Sequence, residues 1–360
     1  MKIITDIPFK KLDAFLQKEQ AKPFSYKAPR EFSGYSQNDE YKRLDSHNHK
    51  PHSEKLIQLK EVIDLINQNE LLNPFANSPI KKEVPINLQG FKSFSETLKH
   101  LITGTQHRAA FDRSESKIHL HSELISRPNY FYNRFFEHMK KQTVLNWVTI
   151  HEVGHVISFV MHEKNKEHGF FAKEEENIYQ FFKPWEDHNK FKSIILENYG
   201  DLYSGFVLSH LYPEQAPGMI RLLAQNRQFE FEENYMTHDA LWELADHIEK
   251  QGNFNSFDEF NRYASKSCSQ MVIEQSLKHL YANKSTQDFS HPELNREDLI
   301  HLMKVSAKQL GMDMSALTPQ SVEQEEITRQ KELAEGVMAD QRSQRIPQGY
   351  ATGQRMKRAW

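Results

Sequence analysis

The stretch Thr149-Ile150-His151-Glu152-Val153-Gly154-His155-Val156-Ile157 carries the pattern H-E-x-x-H inside a long apolar run. Residues four apart on an α-helix stand one above the other, so His151 and His155 can present their imidazoles to one metal ion. Glu152 follows His151 and can reach a water bound to that metal without ligating it. The stretch therefore predicts a metal-binding helix.

The surroundings of this pattern matter because the chain has nineteen histidines, and H-E-x-x-H by itself is a weak signal at that composition. Apolar side chains cover nearly every face of the predicted helix, as in a helix buried in a core. They are Val144, Leu145, Trp147, Val148, Ile150, Val153, Val156, Ile157, Phe159, Val160 and Met161. Burying two imidazoles and a carboxylate there without partners would be unfavourable, and a metal ion removes that difficulty. Pattern and context together favour a zinc hydrolase.

A zinc site needs a third protein ligand, and a second apolar stretch from Leu196 to Gly205 offers one. Within it Glu197 and Asp201 share a helical face. Here the chain resembles the gluzincin branch of the zincin metallopeptidases, whose second helix carries E-x-x-x-D. The resemblance covers residues 108–238, about a third of the chain.

The resemblance implies a role for each matching residue. His151, His155 and Glu197 would ligate one Zn²⁺. Glu152 would be the general base, and Asp201 would fix the tautomer of His151. The chain departs from the thermolysin-like pattern in the longer gap between His155 and Glu197, which leaves the subfamily open.

We expect an α+β fold, predominantly helical, in which a small twisted antiparallel or mixed sheet lies above a buried metal-binding helix, with extra helices. Residues 108–121 read as a β-hairpin with its turn at Arg113–Ser116. In zincins the edge strand of the sheet lines the cleft, and an extended peptide pairs with it. We expect that strand to be Lys117, Ile118, His119, Leu120 and His121. The two histidines would contact substrate or simply be exposed.

A histidine or tyrosine downstream of the glutamate helix binds the oxyanion in gluzincins, and His238 or Tyr235 matches that position. His238 is the preferred catalytic candidate. The alternative is that Thr237 or Asp239 caps a helix and that His238 is merely exposed.

Helical periodicity or capping signals predict further helices across the chain. They cover 9–17, 54–72, 93–104, 129–140, 219–223, 254–282 and 295–310. We predict four parts: an N-terminal helix and loop-rich arm (1–53), the zincin-like domain (54–250), a helical subdomain (251–318) and a polar tail (319–360). The tail weakly resembles the C-terminal signals of injected bacterial proteins, but it also fits a solvated helix or linker.

The net charge of −3 does not favour nucleic acid or an anionic membrane as a main partner. Cys268 is the only cysteine, which excludes an intramolecular disulfide and predicts a buried thiol. The N-terminus lacks the apolar core of a cleaved signal, and no membrane span is expected. We expect a cytoplasmic protein, or one exported without a cleaved signal, with no prediction of oligomeric state.

These observations predict a zinc metalloendopeptidase that acts on a protein or peptide. A second hypothesis is that it is a bacterial effector or toxin that acts on a host protein. Two alternatives stay open: an inactive binding module that keeps the zincin fold, and a zinc hydrolase with a non-protein substrate. The inactive module has no need of Glu152.

Overall fold

The computed structural model describes residues 1–20, 57–77, 83–89, 109–121, 141–164, 189–228, 237–282, 295–324 and 327–328. The strands are β1 (Lys2–Thr5), β2 (Glu83–Gln89), β3 (Ala109–Asp112) and β4 (Lys117–His121). The helices are α1 (Phe9–Gln20), α2 (Leu59–Gln68), α3 (Lys141–Lys164), α4 (Asn189–Leu211), α5 (Ala216–Gln228), α6 (His238–Gln251), α7 (Phe257–Tyr281) and α8 (Arg296–Gln309). The predicted class, α+β and mostly helical with a small mixed sheet, is confirmed.

The described residues belong to two compact units, a larger one that ends at Glu274 and a smaller one that begins at Gln275. The smaller unit contains the end of α7 and all of α8. In it, the Arg296 guanidinium donates to the carbonyl of Leu280. Asn295 caps α8, as predicted. The predicted four-part division of the chain stays a prediction.

The sheet has the order β1-β2-β4-β3. Both β1 and β4 run parallel to β2, and β3 runs antiparallel to β4. Side chains alternate between the two faces of the sheet, and one face has a buried apolar centre. That face carries Ile3, Val84, Ile86, Ile118 and Leu120.

The predicted hairpin is confirmed, but the expectation that Lys117–His121 is an exposed edge strand is wrong. Strand β4 pairs with β3 on one side and with β2 on the other, so both of its edges are used. Ile118 and Leu120 lie in the core, and His119 is half-buried on the opposite face. Within the described residues, β1 and β3 each pair on one side only, and β3 is the edge strand next to β4.

The N-terminal strand β1 was not predicted. The side-chain amide of Asn67, at the end of α2, both accepts from the N–H of Ile3 and donates to its carbonyl. This pair of bonds joins β1 to α2, while backbone pairing and the burial of Ile3 hold β1 against β2. Helix α1 begins at the predicted residue and ends three residues later than expected.

Helices α3 and α4 pack against each other at the centre of the larger unit. The segment Gln142–Met161 of α3 is long and apolar enough to cross a membrane, but 83% of its most apolar window is buried in the protein, as in a core helix. Cys268 is buried, as predicted. The predicted helices at 93–104 and 129–140 lie outside the described residues, whereas those at 54–72, 219–223, 254–282 and 295–310 match α2, α5, α7 and α8 with shifted ends.

Candidate metal centre

Two glycines lie where α3 crosses α4. A Cβ on Gly154 would come within 3.0 Å of the Gly200 Cα and 3.1 Å of the Tyr203 Cβ. A Cβ on Gly200 would lie 2.9 Å from Cε1 of His151 and 3.0 Å from Cε1 of His155. Neither position has room for a side chain. Because both residues are glycines, the two helices can approach closely, and α4 reaches both imidazoles.

This crossing brings the three predicted ligands together. Glu197 Oε2 lies 3.2 Å from His151 Nε2, and Glu197 Oε1 lies 3.6 Å from His155 Nε2. One ligand atom from each residue lies within 4.8 Å of the others. Tetrahedral zinc with bonds of about 2.0–2.2 Å separates neighbouring ligand atoms by about 3.3–3.6 Å. The three residues could therefore hold a metal ion.

Asp201 lies behind His151, as the sequence predicted. Its Oδ1 is 2.8 Å from His151 Nδ1. Because a carboxylate accepts, Nδ1 carries a proton that it donates to Asp201, and Nε2 is the ring nitrogen that faces Glu197. This orientation directs Nε2 to the place where a metal ion would replace its proton.

Two residues that the sequence did not place at the site complete the contacts of Asp201. The Arg227 guanidinium donates from Nε to Oδ2 at 2.7 Å and from Nη2 to Oδ1 at 2.8 Å. The Thr237 hydroxyl donates to Oδ2 at 2.5 Å. Arg227 also lies over the indole of Trp147, 5.9 Å from the ring centroid. The sequence signal for Arg227 was a charged residue in the last turn of the largely apolar helix α5. The local sequence does not indicate which residue it binds.

The buried charges shift each other's pKa values. Burial would raise the pKa of Asp201, but Arg227 and His151 lower it well below its usual range. Burial disfavours the charged form of His151, yet Asp201 and Glu197 outweigh it and raise its pKa to about 10. Burial and the charge of His151 lower the pKa of His155 to about 4. The site therefore attracts positive charge to the space between Glu197 and the imidazoles, which is what a bound cation requires.

Glu152 is buried beside the three candidate ligands. Its Oε2 has no hydrogen-bond partner among the described residues. Burial raises the pKa of Glu152 to about 7, and the backbone amide of Phe111 in β3 opposes part of that rise. A buried carboxyl group with one free oxygen and a pKa near neutrality is suited to accept a proton from a nearby water.

The β-hairpin packs against α3 next to the site. His151, His155 and Phe159 follow one another at intervals of four on α3, so they form one stripe along the helix. The ring of Phe111 meets Phe159 edge-on, with centroids 6.0 Å apart. The Arg113 guanidinium lies over Phe159, 5.6 Å from the ring centroid.

His119 of β4 does not join this group. His119 Nε2 lies 3.9 Å from Glu115 in the hairpin turn, and the side chain of His121 lies outside what the structure describes. Asp112, Glu115 and His119 have ligand atoms within 4.8 Å of one another. Asp112, however, already accepts bonds from Ser114 and from the Glu115 amide, as in an ordinary turn.

The predicted oxyanion residues are only partly described. Tyr235 lies outside the described residues. His238 is the first residue of α6, and its Nε2 is 3.3 Å from Oδ1 of Asp239. Thr237 occupies the N-cap position, but its hydroxyl bonds Asp201 and does not cap the helix. The role of His238 stays a prediction.

Comparisons with protein-family models, with curated proteins and with solved structures gave no match.

Proposed function

We propose that the protein is a zinc-dependent metallopeptidase of the gluzincin type that hydrolyses peptide bonds. The observation that carries this proposal is the buried convergence of His151, His155 and Glu197 with the free carboxyl oxygen of Glu152. Two imidazoles and one carboxylate are the ligand set of several catalytic zinc sites in peptidases. When bound there, zinc would supply a Lewis acid that polarises a carbonyl and lowers the pKa of a water to about 7.

The residues of the chain have separable roles in this proposal. Asp201 accepts the Nδ1–H of His151 and so orients the ring with Nε2 towards the place that a metal would occupy. Arg227 and Thr237 hold Asp201 in that position. Glu152 is buried with one free carboxyl oxygen, and it accepts a proton from the attacking water and returns it to the leaving amine.

The substrate strand in this proposal is β3. It pairs with β4 along one side only within the described residues, and the Phe111 amide lies near the carboxyl group of Glu152. An extended peptide that pairs with β3 would pass beside α3 at the level of the candidate ligands. This proposal replaces the earlier assignment of β4.

The test compares the wild type with Glu152→Gln and Glu197→Ala. The wild type and Glu152→Gln should each hold about one zinc per chain by elemental analysis, because two imidazoles and a carboxylate form a complete protein ligand set. Glu197→Ala should lose most of its zinc. Glu115→Gln, a carboxylate removed from the exposed hairpin turn, is the matched control and should keep the zinc.

Activity is measured as an unbiased cleavage profile of a whole-cell protein extract. Glu152→Gln should cleave at least about 10²-fold more slowly than the wild type, because it keeps the ligands and loses only the base. Equal profiles for the two zinc-loaded proteins would contradict the proposed function. They would favour a metal-binding scaffold or a zinc hydrolase with another substrate.

A further inference from the structure

We propose that Arg113 selects substrates that carry a carboxylate about two or three residues from the cleaved bond, an inference that rests on the proposed peptidase function. The hairpin turn places this exposed cation on the ring of Phe159, at the end of the stripe that begins with the two histidines. The carboxylate is either the side chain of Asp or Glu or the C-terminus of the peptide.

The position of Arg113 follows from helix geometry. Phe159 lies one turn beyond His155 on the same face of α3, a rise of about 6 Å. The guanidinium lies over that ring, a contact that restricts its movement, and the residue is exposed, so its N–H groups are open to an incoming ligand. Since an extended peptide advances about 3.3 Å per residue, Arg113 faces a substrate residue two or three positions from the reacting bond.

The two carboxylates next to Arg113 in the turn do not pair with its guanidinium. The Asp112 carboxylate accepts from Ser114 and from the Glu115 amide, and the Glu115 carboxylate pairs with Lys117 at 3.1 Å. Among the described residues, no carboxylate pairs with Arg113. Its positive charge lies close to the site, because Phe159 follows His155 on the same face of α3.

An arginine in this state favours a carboxylate over a neutral group. It offers a planar fork of donors that can bind both oxygens of a carboxylate. Burial on the Phe159 side removes part of its hydration, so pairing with an incoming anion loses less solvation than at a fully exposed site. A basic residue at the same place on the substrate would be repelled.

The test uses two random dodecapeptide libraries, one with free and one with amidated C-termini, and identifies the cleaved bonds by mass spectrometry. The wild type should enrich Asp and Glu near the cleaved bond, or cleave close to the C-terminus only in the free library. Either result supports the inference, and the two libraries separate the two sources of the carboxylate. In Arg113→Gln the preference should fall roughly tenfold, the usual scale of a hydrogen bond to a charged group.

The matched control is Lys117→Gln, which removes one positive charge from the same hairpin but from a residue that pairs with Glu115. It should leave the carboxylate preference unchanged. Arg113→Glu should reverse the preference and enrich Lys and Arg. Zinc content equal to the wild type shows that these variants keep the site intact. Absence of a carboxylate preference in the wild type, or its persistence in Arg113→Gln, would overturn the inference and leave the peptidase proposal standing.

A binding measurement separates the two proposals if the wild type cleaves neither library. Two labelled random peptide mixtures are used, which differ only in a central Glu or Gln. Fluorescence anisotropy measures the binding of each mixture to Glu152→Gln and to the double variant Glu152→Gln/Arg113→Gln. A preference for the Glu mixture that disappears in the double variant supports carboxylate recognition by Arg113, while the missing cleavage contradicts the peptidase. A second pair of mixtures, with free and with amidated C-termini, tests the other source of the carboxylate in the same way. Equal binding within both pairs by Glu152→Gln would overturn both proposals.

Discussion

The two imidazoles of the candidate metal centre have opposite surroundings. Behind His151, the carboxylate of Asp201 is completely buried and is held by Arg227 and Thr237. On the side of His155, the ring Nδ1 is buried and has no hydrogen-bond partner among the described residues, and the next turn of α3 leads to Phe159 and the exposed Arg113. We call these the Asp201 side and the hairpin side.

The difference separates two tasks. A buried network in which each charge is paired keeps a ligand in one orientation, because moving any member would leave another without its partner. An exposed cation on an aromatic ring contributes little to stability and is free to meet an incoming group. The Asp201 side is therefore built to hold the centre, and the hairpin side is built to contact what binds there.

The largest expected effect comes from Asp201→Ala. It removes the carboxylate that Arg227 is bonded to, and breaking a buried ion pair from one side typically costs about 3–5 kcal/mol. Urea denaturation should show a loss of stability of that size. Asp112→Ala on the hairpin side should show no comparable loss, since Asp112 bonds only groups of its own exposed turn. Similar stability losses in the two variants would remove the distinction between the sides.

An intermediate effect is expected for Gly200→Ala. The new methyl group would overlap both imidazoles, so the helices must separate, at a cost of about 1–3 kcal/mol. Zinc affinity, measured by chelator competition, should fall with it. Gly252→Ala is the control: it strains a backbone with φ of 84° but meets no atom within 4 Å, so it should lose some stability and keep its zinc affinity. Unchanged zinc affinity in Gly200→Ala would contradict the close-crossing account.

The smallest effect is expected for Thr237→Val, which removes one of the donors to Asp201 and keeps the shape of the side chain. The stability loss should be about 1 kcal/mol, and zinc affinity should fall by less than the roughly 10-fold to 100-fold typical of outer partners. Thr149→Val is the control, because that hydroxyl bonds only the Leu145 carbonyl of its own helix. A larger loss of zinc affinity in Thr149→Val than in Thr237→Val would contradict the role of Asp201 as the organiser of the site.

Local spacing was enough to predict the parts of the site that lie on one element. His151 and His155 share a helical face, as do Glu197 and Asp201, and the period of four in each case is visible without any structure. The hairpin was predictable for the same reason, because alternation over Lys117–His121 indicates a strand with one apolar face. Patterns of this kind report which face of an element is apolar or chemically active.

Only the tertiary structure decided what each face meets. The parallel pairing of β1 and β4 with β2 joins segments far apart in the chain, which is why β4 was mistaken for an edge. Arg227 reaches Asp201 from the last turn of α5 and Thr237 from the N-cap of α6, and Gly200 matters because of the imidazoles that face it. These contacts join segments that are far apart in the chain. The period of a local pattern does not indicate which distant segment a face will contact.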